Sequence, residues 1–384
     1  MRQIAIVTGS RADYGIYTPI LRRLRAEPTV GTVLLVTGAH LAAEFGMTVR
    51  AIEADGFEIA ERIDMQVGPD APEAIARSTA LALSGFAAAF ARRRPDILVV
   101  LGDRLEMLAA ATASLAFNIP VAHIHGGEAT EGAIDDAVRH ALTKMSHLHF
   151  AALEVYADRI VQMGESPWRV TVSGAPGLDH LQGFTPLSRT QLERECGVRV
   201  ADRTLIVTYH PVTLESGQTA WQMAELLAAL REVGAPAVFT FPNADAGSRT
   251  IIEAARRYVA EGPDAQLTVS LGTRGYLSLL SHAAAMVGNS SSGILEAASF
   301  RLPVVNIGTR QQGRVRGKNV LDVGYTRTEI VAAIRTAMSA GFRASLGDLV
   351  NPYGDGHAAE RIVQRLRSVE LGDALLRKRF HDAR

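Results

Sequence analysis

Ionisable side chains in this chain gather at a few points. Asp103 stands behind the apolar run 97–101, with Arg104 and Glu106 after it. His123 and His125 flank Ile124, Glu128 follows two glycines, and Asp135, Asp136, Arg139 and His140 open a helix-forming stretch. Asp135 and Arg139 are four residues apart and share a helix face. Carboxylates crowded against arginine and histidine can be tuned into general acids and bases. A metal site is the competing reading, because His123/His125 and His147/His149 are paired two apart, a spacing that puts both rings on one side of a strand. The longer ligand spacings of metal sites are missing, and His147 and His149 adjoin Phe150 as core histidines would, so no metal is expected.

A second group of residues suits an anion. Gly288-Asn289-Ser290-Ser291-Ser292-Gly293 joins the apolar run 286–288 to a helix expected to start near Gly293. Backbone N–H groups at such a junction, with hydroxyls beside them, fit a phosphate or diphosphate. A serine N-cap alone explains one serine and not three. Glu296, about a turn further on, is placed to accept hydrogen bonds from a ribose. Arg11 and Arg310 follow strands in opposite halves, and a guanidinium fork matches diphosphate oxygens. Arg310-Gln311-Gln312-Gly313-Arg314-Val315-Arg316-Gly317 forms a basic loop there. His210, in Tyr209-His210-Pro211, ends a strand, where ligands bind in open α/β sheets. A dinucleotide fingerprint after the first strand and a P-loop lysine motif are both missing.

The elements that must position these residues are short apolar runs alternating with helical periodicity. Strands are expected at 4–8, 33–37, 57–63, 97–101, 121–124, 147–151 and 170–173, with helices at 14–26, 73–93, 105–117 and 134–145 between them. The pattern restarts with strands 205–209, 237–241, 267–270, 286–288 and 304–307 and helices 221–233, 250–261, 293–298 and 327–338. This is the signature of parallel sheets with helices on both faces. The expected architecture is α/β, two Rossmann-like domains facing across a cleft. The N-terminal domain is set at 1–174 and the C-terminal one at 175–365, hinged at Gly174-Ala175-Pro176-Gly177. A charged C-terminal helix within 366–384 is expected to pack back on the first domain.

Composition agrees with an ordinary globular chain of 384 residues, 47% hydrophobic and 21% charged, long enough for two cores. Its 40 basic and 40 acidic side chains balance, which gives no reason to expect nucleic acid or a membrane surface as partner. Arg92-Arg93-Arg94 and Arg377-Lys378-Arg379 sit at expected helix ends, where they complement the dipole. The single cysteine, Cys196, excludes an internal disulfide. The chain starts directly on a strand pattern, and no run approaches the ~20 apolar residues of a bilayer span. A cytoplasmic location is expected.

These residues also resemble a family. Thr8-Gly9-Ser10-Arg11-Ala12-Asp13-Tyr14-Gly15, Leu101-Gly102-Asp103-Arg104, His123-Ile124-His125-Gly126-Gly127-Glu128, the run Arg139–Ser146, the run Asn243–Ser248 and Gly288–Gly293 are similar, in order and spacing, to the hydrolysing UDP-N-acetylglucosamine 2-epimerases. The likeness runs from residue 1 to about 365. It implies a glycosyltransferase-B-like fold, a homodimer, a UDP-sugar substrate and no metal or redox cofactor. It further implies that UDP leaves the anomeric carbon while a base removes the C2 proton, and that water adds to the resulting glycal to give N-acetylmannosamine. Asp103, Asp135 and His210 match the family's catalytic residues. Arg11, Asn243, Ser290, Ser291, Ser292, Glu296 and Arg310 match its nucleotide-binding ones. Arg104, Arg139 and Gly293 lie beside these as further candidates for holding substrate.

Two departures bear on the chemistry. Many relatives carry glutamate where this chain has His125, so either His125 takes the acid/base role or Glu128 supplies the carboxylate. Ile16 stands where some relatives place a lysine near the phosphates. The His-Ile-His-Gly-Gly-Glu form resembles bacterial enzymes of sialic-acid synthesis. The shared motifs do not separate UDP-N-acetylglucosamine from UDP-2,4-diacetamido-2,4,6-trideoxyglucose of legionaminic-type pathways, and a glycosyltransferase of the same fold is the other alternative.

Overall fold

A computed structural model describes residues 1–384 other than 67–70, 131–133, 243–246, 263 and 383–384. Among the described residues, seven strands build the first sheet: β1 (Arg2–Thr8), β2 (Val30–Thr37), β3 (Ile59–Ile63), β4 (Ile97–Leu101), β5 (Val121–Ile124), β6 (Leu148–Ala151) and β7 (Val170–Val172). Six build the second: β8 (Leu205–Thr208), β9 (Ala237–Thr240), β10 (Ala265–Thr268), β11 (Ala285–Gly288), β12 (Val304–Ile307) and β13 (Val320–Val323). Both sheets are parallel, in the orders β3-β2-β1-β4-β5-β6-β7 and β10-β9-β8-β11-β12-β13.

Strands buried on both faces need apolar residues at every position, and β4, Ile-Leu-Val-Val-Leu, is buried throughout. Alternate residues feed separate cores. Ile4, Ile6, Val99 and Leu101 meet the helices Arg11–Ala26 and Ala358–Ser368. Ala5, Val7, Leu98 and Val100 meet Pro72–Arg92 and Leu105–Ala116 on the other face. Strand order reverses between β1 and β4 in one sheet and between β8 and β11 in the other. Those two switch points are where an open sheet leaves a crevice beyond its strand ends.

The chain divides into two compact units. One comprises Met1–Glu128, Asp135–Gln182 and Tyr353–Arg384, the other Ala129–Ile134 and Gly183–Pro352. The divisions fall at 182/183 and 352/353, past the hinge expected at 174/175 and ahead of the boundary expected at 365/366. Long-range hydrogen bonds set them. In the turn Pro176–Leu181, His180 Nε2 donates to the Gly15 carbonyl at 2.6 Å. Asp179 accepts from the first N–H groups of the helix Ala358–Ser368, at 2.9 and 2.7 Å, serving as its N-terminal cap from across the sequence.

Among the described residues beyond that helix only Asp373–Leu376 is helical, so the single charged helix expected within 366–384 is not formed. This segment is held to the first unit by buried Arg169, which donates to the carbonyls of Ala374, Leu375 and Arg377. The helix Pro72–Arg92 is long and apolar enough, by length and composition, to cross a membrane, which the sequence reading did not anticipate. Here Ser78, Ala82, Phe86, Ala89 and Phe90 turn one side of it onto the sheet.

Candidate active site

At the switch point of the first sheet β4 is followed by Gly102, whose φ of +69° turns the chain out of the strand and presents Asp103. The carboxylate meets Nη2 of Arg139 on the helix Asp135–Met145. Arg139 is 1% exposed, so its charge must be matched, and Nη1 lies 3.5 Å from Oε2 of Glu128, also 1% exposed. Glu128 Oε1 in turn accepts from Nδ1 of His125 at 2.5 Å. His125 holds a left-handed φ of +63° at the end of β5, an uncommon conformation for a side-chain-bearing residue. Asp103, Arg139, Glu128 and His125 thus form one continuous relay, buried but for the half-buried Asp103 and built from three strand-end or helix segments.

The neighbouring β1 turn adds more charge. Ser10 caps the helix Arg11–Ala26 by accepting from Asp13 N–H, and Asp13 accepts from Gly9 N–H at 3.1 Å. Burial raises the Asp13 carboxyl to about 6, although Arg104 pulls it down. Arg104 pairs with Glu106 at 3.3 Å. Arg11 is the first residue of its helix and half-buried, and Asp135 is the first residue of its own, likewise partly exposed.

At the switch point of the second sheet, Asn289 joins two strand ends. Its Oδ1 accepts from His210 N–H at 2.6 Å and its Nδ2 donates to the His210 carbonyl at 2.9 Å. Asn289's own carbonyl accepts from Gln311 Nε2 at 2.9 Å and Arg310 Nη1 at 3.3 Å. The approach requires glycine before it: a Cβ on Gly288 would lie 1.9 Å from the Thr208 carbonyl oxygen. Ser290 caps a short helix, Ser291–Leu295, by accepting from Ser292 N–H, and Tyr276 donates to Ser292 Oγ at 2.7 Å. This helix starts two residues before the expected Gly293, which is buried instead against Val304. Glu296 follows the helix and is half-buried.

Of the residues singled out in the sequence, Asp103, His125, Glu128 and Arg139 meet one another in the first unit, and His210 and Arg310 meet through Asn289 in the second. Asn243 lies outside the described residues. Sequence reasoning gave Asn289 and Gln311 no separate role, although both fall inside motifs it marked. It also missed the hydrogen-bonded run Tyr209–Gln222–Glu215–Thr309, for which the strand-end positions of Tyr209 and Thr309 were the signals. Among the described residues no group of three or more His, Cys, Asp or Glu side chains is placed to hold a metal ion. His147 and His149 are core groups, as their neighbours suggested. His147 Nδ1 accepts from Val121 N–H at 3.1 Å, and His149 donates from Nε2 to Glu165 at 3.1 Å.

Two Rossmann-like units, each with polar chemistry at its switch point, define an α/β enzyme of the glycosyltransferase-B-like class. A family model described as UDP-N-acetylglucosamine 2-epimerase matches residues 22–367, and the chain belongs to that family of hydrolysing enzymes acting on nucleotide sugars. The UDP-N,N'-diacetylbacillosamine 2-epimerase (hydrolyzing) of Legionella pneumophila is 37% identical, over 98% of this chain and 99% of its own. A GDP/UDP-N,N'-diacetylbacillosamine 2-epimerase (hydrolyzing) of Campylobacter jejuni is 36% identical over 99% of each. A UDP-N-acetylglucosamine 2-epimerase of Neisseria meningitidis is 31% identical, over 100% of this chain and 99% of its own. In fold the chain is similar to the crystal structure of a Neisseria meningitidis UDP-GlcNAc 2-epimerase bound to UDP-GlcNAc. That likeness has a TM-score of 0.82 and 18% identity, covering 96% of this chain and 100% of the other.

Proposed function

We propose that the chain hydrolyses and epimerises UDP-2,4-diacetamido-2,4,6-trideoxyglucose (UDP-N,N'-diacetylbacillosamine), releasing the corresponding manno sugar and UDP. The relay Asp103–Arg139–Glu128–His125 in a chain of this family carries the reading. The choice of sugar rests on relatives named for that substrate being 37% and 36% identical, against 31% for one named for UDP-N-acetylglucosamine. That last relative supports UDP-N-acetylglucosamine as the second reading.

In the proposed reaction a base takes the C2 proton as the C1–O bond breaks, its electron pair leaving on the diphosphate. The C1=C2 glycal then gains hydroxide at C1 and a proton on the other face of C2. Elimination and hydration leave the overall oxidation level unchanged, so the chemistry needs no redox cofactor. Asp103 and Asp135 are the carboxylates assigned to proton transfer. Glu128 orients His125 through Nδ1, which makes Nε2 the nitrogen that exchanges a proton and gives His125, rather than Glu128, the acid/base role. In the second unit His210 is assigned to proton transfer, and Arg310 with the serines Ser290–292 to the diphosphate, where charge grows as it leaves; Arg11 of the first unit is a further candidate for holding substrate.

A cytoplasmic homodimer completes the proposal. The small, partly exposed side chains of Pro72–Arg92, where Leu81 is 40% exposed, and Leu115 on the neighbouring helix Leu105–Ala116, 45% exposed, support a second copy as partner. Incubation with each sugar nucleotide, followed by proton NMR of the freed sugar, tests the reaction. A gluco product, or a sugar still joined to UDP, would overturn it.

A further inference from the structure

We infer that His123 is a positioning residue for Asp103, acting through the Gly102 peptide, with Thr143 and Gly126 fixing its ring. The inference rests on the role proposed for Asp103.

Gly102 is held on both sides by β5. Its N–H donates to the Ile124 carbonyl at 2.9 Å, and its carbonyl accepts from His123 Nε2 at 2.6 Å. A carbonyl can only accept, so Nε2 carries the hydrogen, and a neutral ring must then accept at Nδ1. The hydroxyl of Thr143 stands 3.3 Å from that nitrogen. His123 is fully buried, which depresses its pKa to about 3 and keeps the ring neutral across the working range of pH. Room for the ring depends on Gly126, where a Cβ would sit 3.0 Å from His123 Nδ1 and 3.2 Å from Thr143 Oγ1.

The geometric consequence follows from the turn. Gly102 is in the left-handed region, so its peptide plane sets the direction in which the next residue leaves. Arg139 fixes the far end of the Asp103 side chain, and His123 fixes the backbone from which it springs. Without the second restraint the carboxylate can swing about its contact with Arg139. A misplacement of about 1 Å in a group that transfers a proton costs on the order of 100-fold in rate. The paired histidines that resemble metal ligands in the sequence thus have separate tasks. His125 belongs to the acid/base relay, and His123 holds the turn beside it.

Four variants of the full chain test this: His123→Gln, His123→Asn, His123→Leu and Thr143→Val. The amide nitrogen of glutamine reaches the position of imidazole Nε2, and that of asparagine does not. Expected is a kcat within about 3-fold of wild type for His123→Gln and a drop of ~100-fold for the Asn and Leu forms. KM and the Kd for UDP should stay within about 2-fold, and Thr143→Val should be intermediate. Nitrogen-15 NMR of the labelled protein should show the Nε2–H tautomer of His123 unchanged from pH 8 to pH 5. Equal losses in the Gln and Leu variants, losses carried by KM, or an Nδ1–H tautomer would overturn the inference. A wild-type protein that turns over no sugar nucleotide defeats the reaction proposed above, and the tautomer then decides the inference alone.

Discussion

Replacing Asn289 by alanine removes one side chain and strands two buried groups. The N–H and the carbonyl of His210 lose their bonds of 2.6 and 2.9 Å. Asn289 is 1% exposed, so water does not replace what is lost. A buried polar group left unsatisfied costs about 1–3 kcal/mol, which puts the pair at roughly 2–6 kcal/mol. For a unit of this size each kcal/mol lowers Tm by about 2–4 °C, so a central value of ~4 kcal/mol predicts a fall of roughly 8–16 °C. The useful comparator is Asn351→Ala. That side chain donates to the Leu295 carbonyl and Ser299 Oγ at a partly exposed site, where water can substitute, and should cost about 1 kcal/mol or less. Scanning calorimetry on both variants, with kcat measured alongside, checks the reasoning. Turnover should drop ~100-fold in Asn289→Ala, because the backbone of His210 is no longer fixed. An Asn289→Ala protein melting within 2 °C of wild type would refute the assignment of Asn289 as the brace of that strand end.

Arg139→Met leaves the Glu128 carboxylate buried without its guanidinium and should destabilise the chain by about 3–5 kcal/mol in urea unfolding. Adding Glu128→Gln should recover part of that loss, and a double variant no better than the single one would contradict the pairing. Arg169→Leu frees the carbonyls of Ala374, Leu375 and Arg377, so amide exchange across 373–381 should quicken while 97–128 stays protected. Exchange that speeds equally everywhere would show that Arg169 supports the whole unit instead.

Stability should fall with acid. Burial holds His40 and His147 at about 4 and His123 at about 3, against 6.5 for a free histidine. Below pH 6.5 the unfolded chain takes up protons that the folded one does not, so this contribution is complete above 6.5 and lost toward pH 3–4. For Glu165, burial would raise the pKa, but hydrogen bonds from His149, Lys144 and Lys378 hold it at about 2, adding a second loss below pH 4.5. Asp13 runs the other way. Raised to about 6, chiefly by burial, it favours folding below pH 3.8 and loses that effect as pH rises through 6. Burial also lowers His149 and His180 and raises Asp179, so five histidines stand against two aspartates; the urea midpoint should drop between pH 7 and pH 5, and a rise in that window contradicts the balance.

The strands were legible because parallel strands buried on both faces need unbroken apolar runs, as in β4. The edge strand β13, Val-Leu-Asp-Val and half exposed, lacks such a run and went unseen. The ends of the units were not legible, because the helix Ala358–Ser368 is capped by Asp179, far off in the sequence. Strand-end or helix placement was legible for Asp103, Glu128, Arg139 and His210, since each lies within a few residues of an apolar run or in the first turns of a helix. The braces beneath them did not. Asn289 looks like the start of a serine motif and His123 like half of a metal pair, and only hydrogen bonds to backbone groups of other strands reveal what each does.

Turnover in heavy water addresses the reaction most directly. With UDP-2,4-diacetamido-2,4,6-trideoxyglucose as substrate, mass spectrometry and NMR of the freed sugar should find one deuterium at C2, manno configuration, and one UDP per sugar. The Asp103→Asn protein should form this product ~100-fold or more slowly while binding UDP as before. A freed sugar with its original hydrogen at C2, or an Asp103→Asn protein as fast as wild type, would contradict the account.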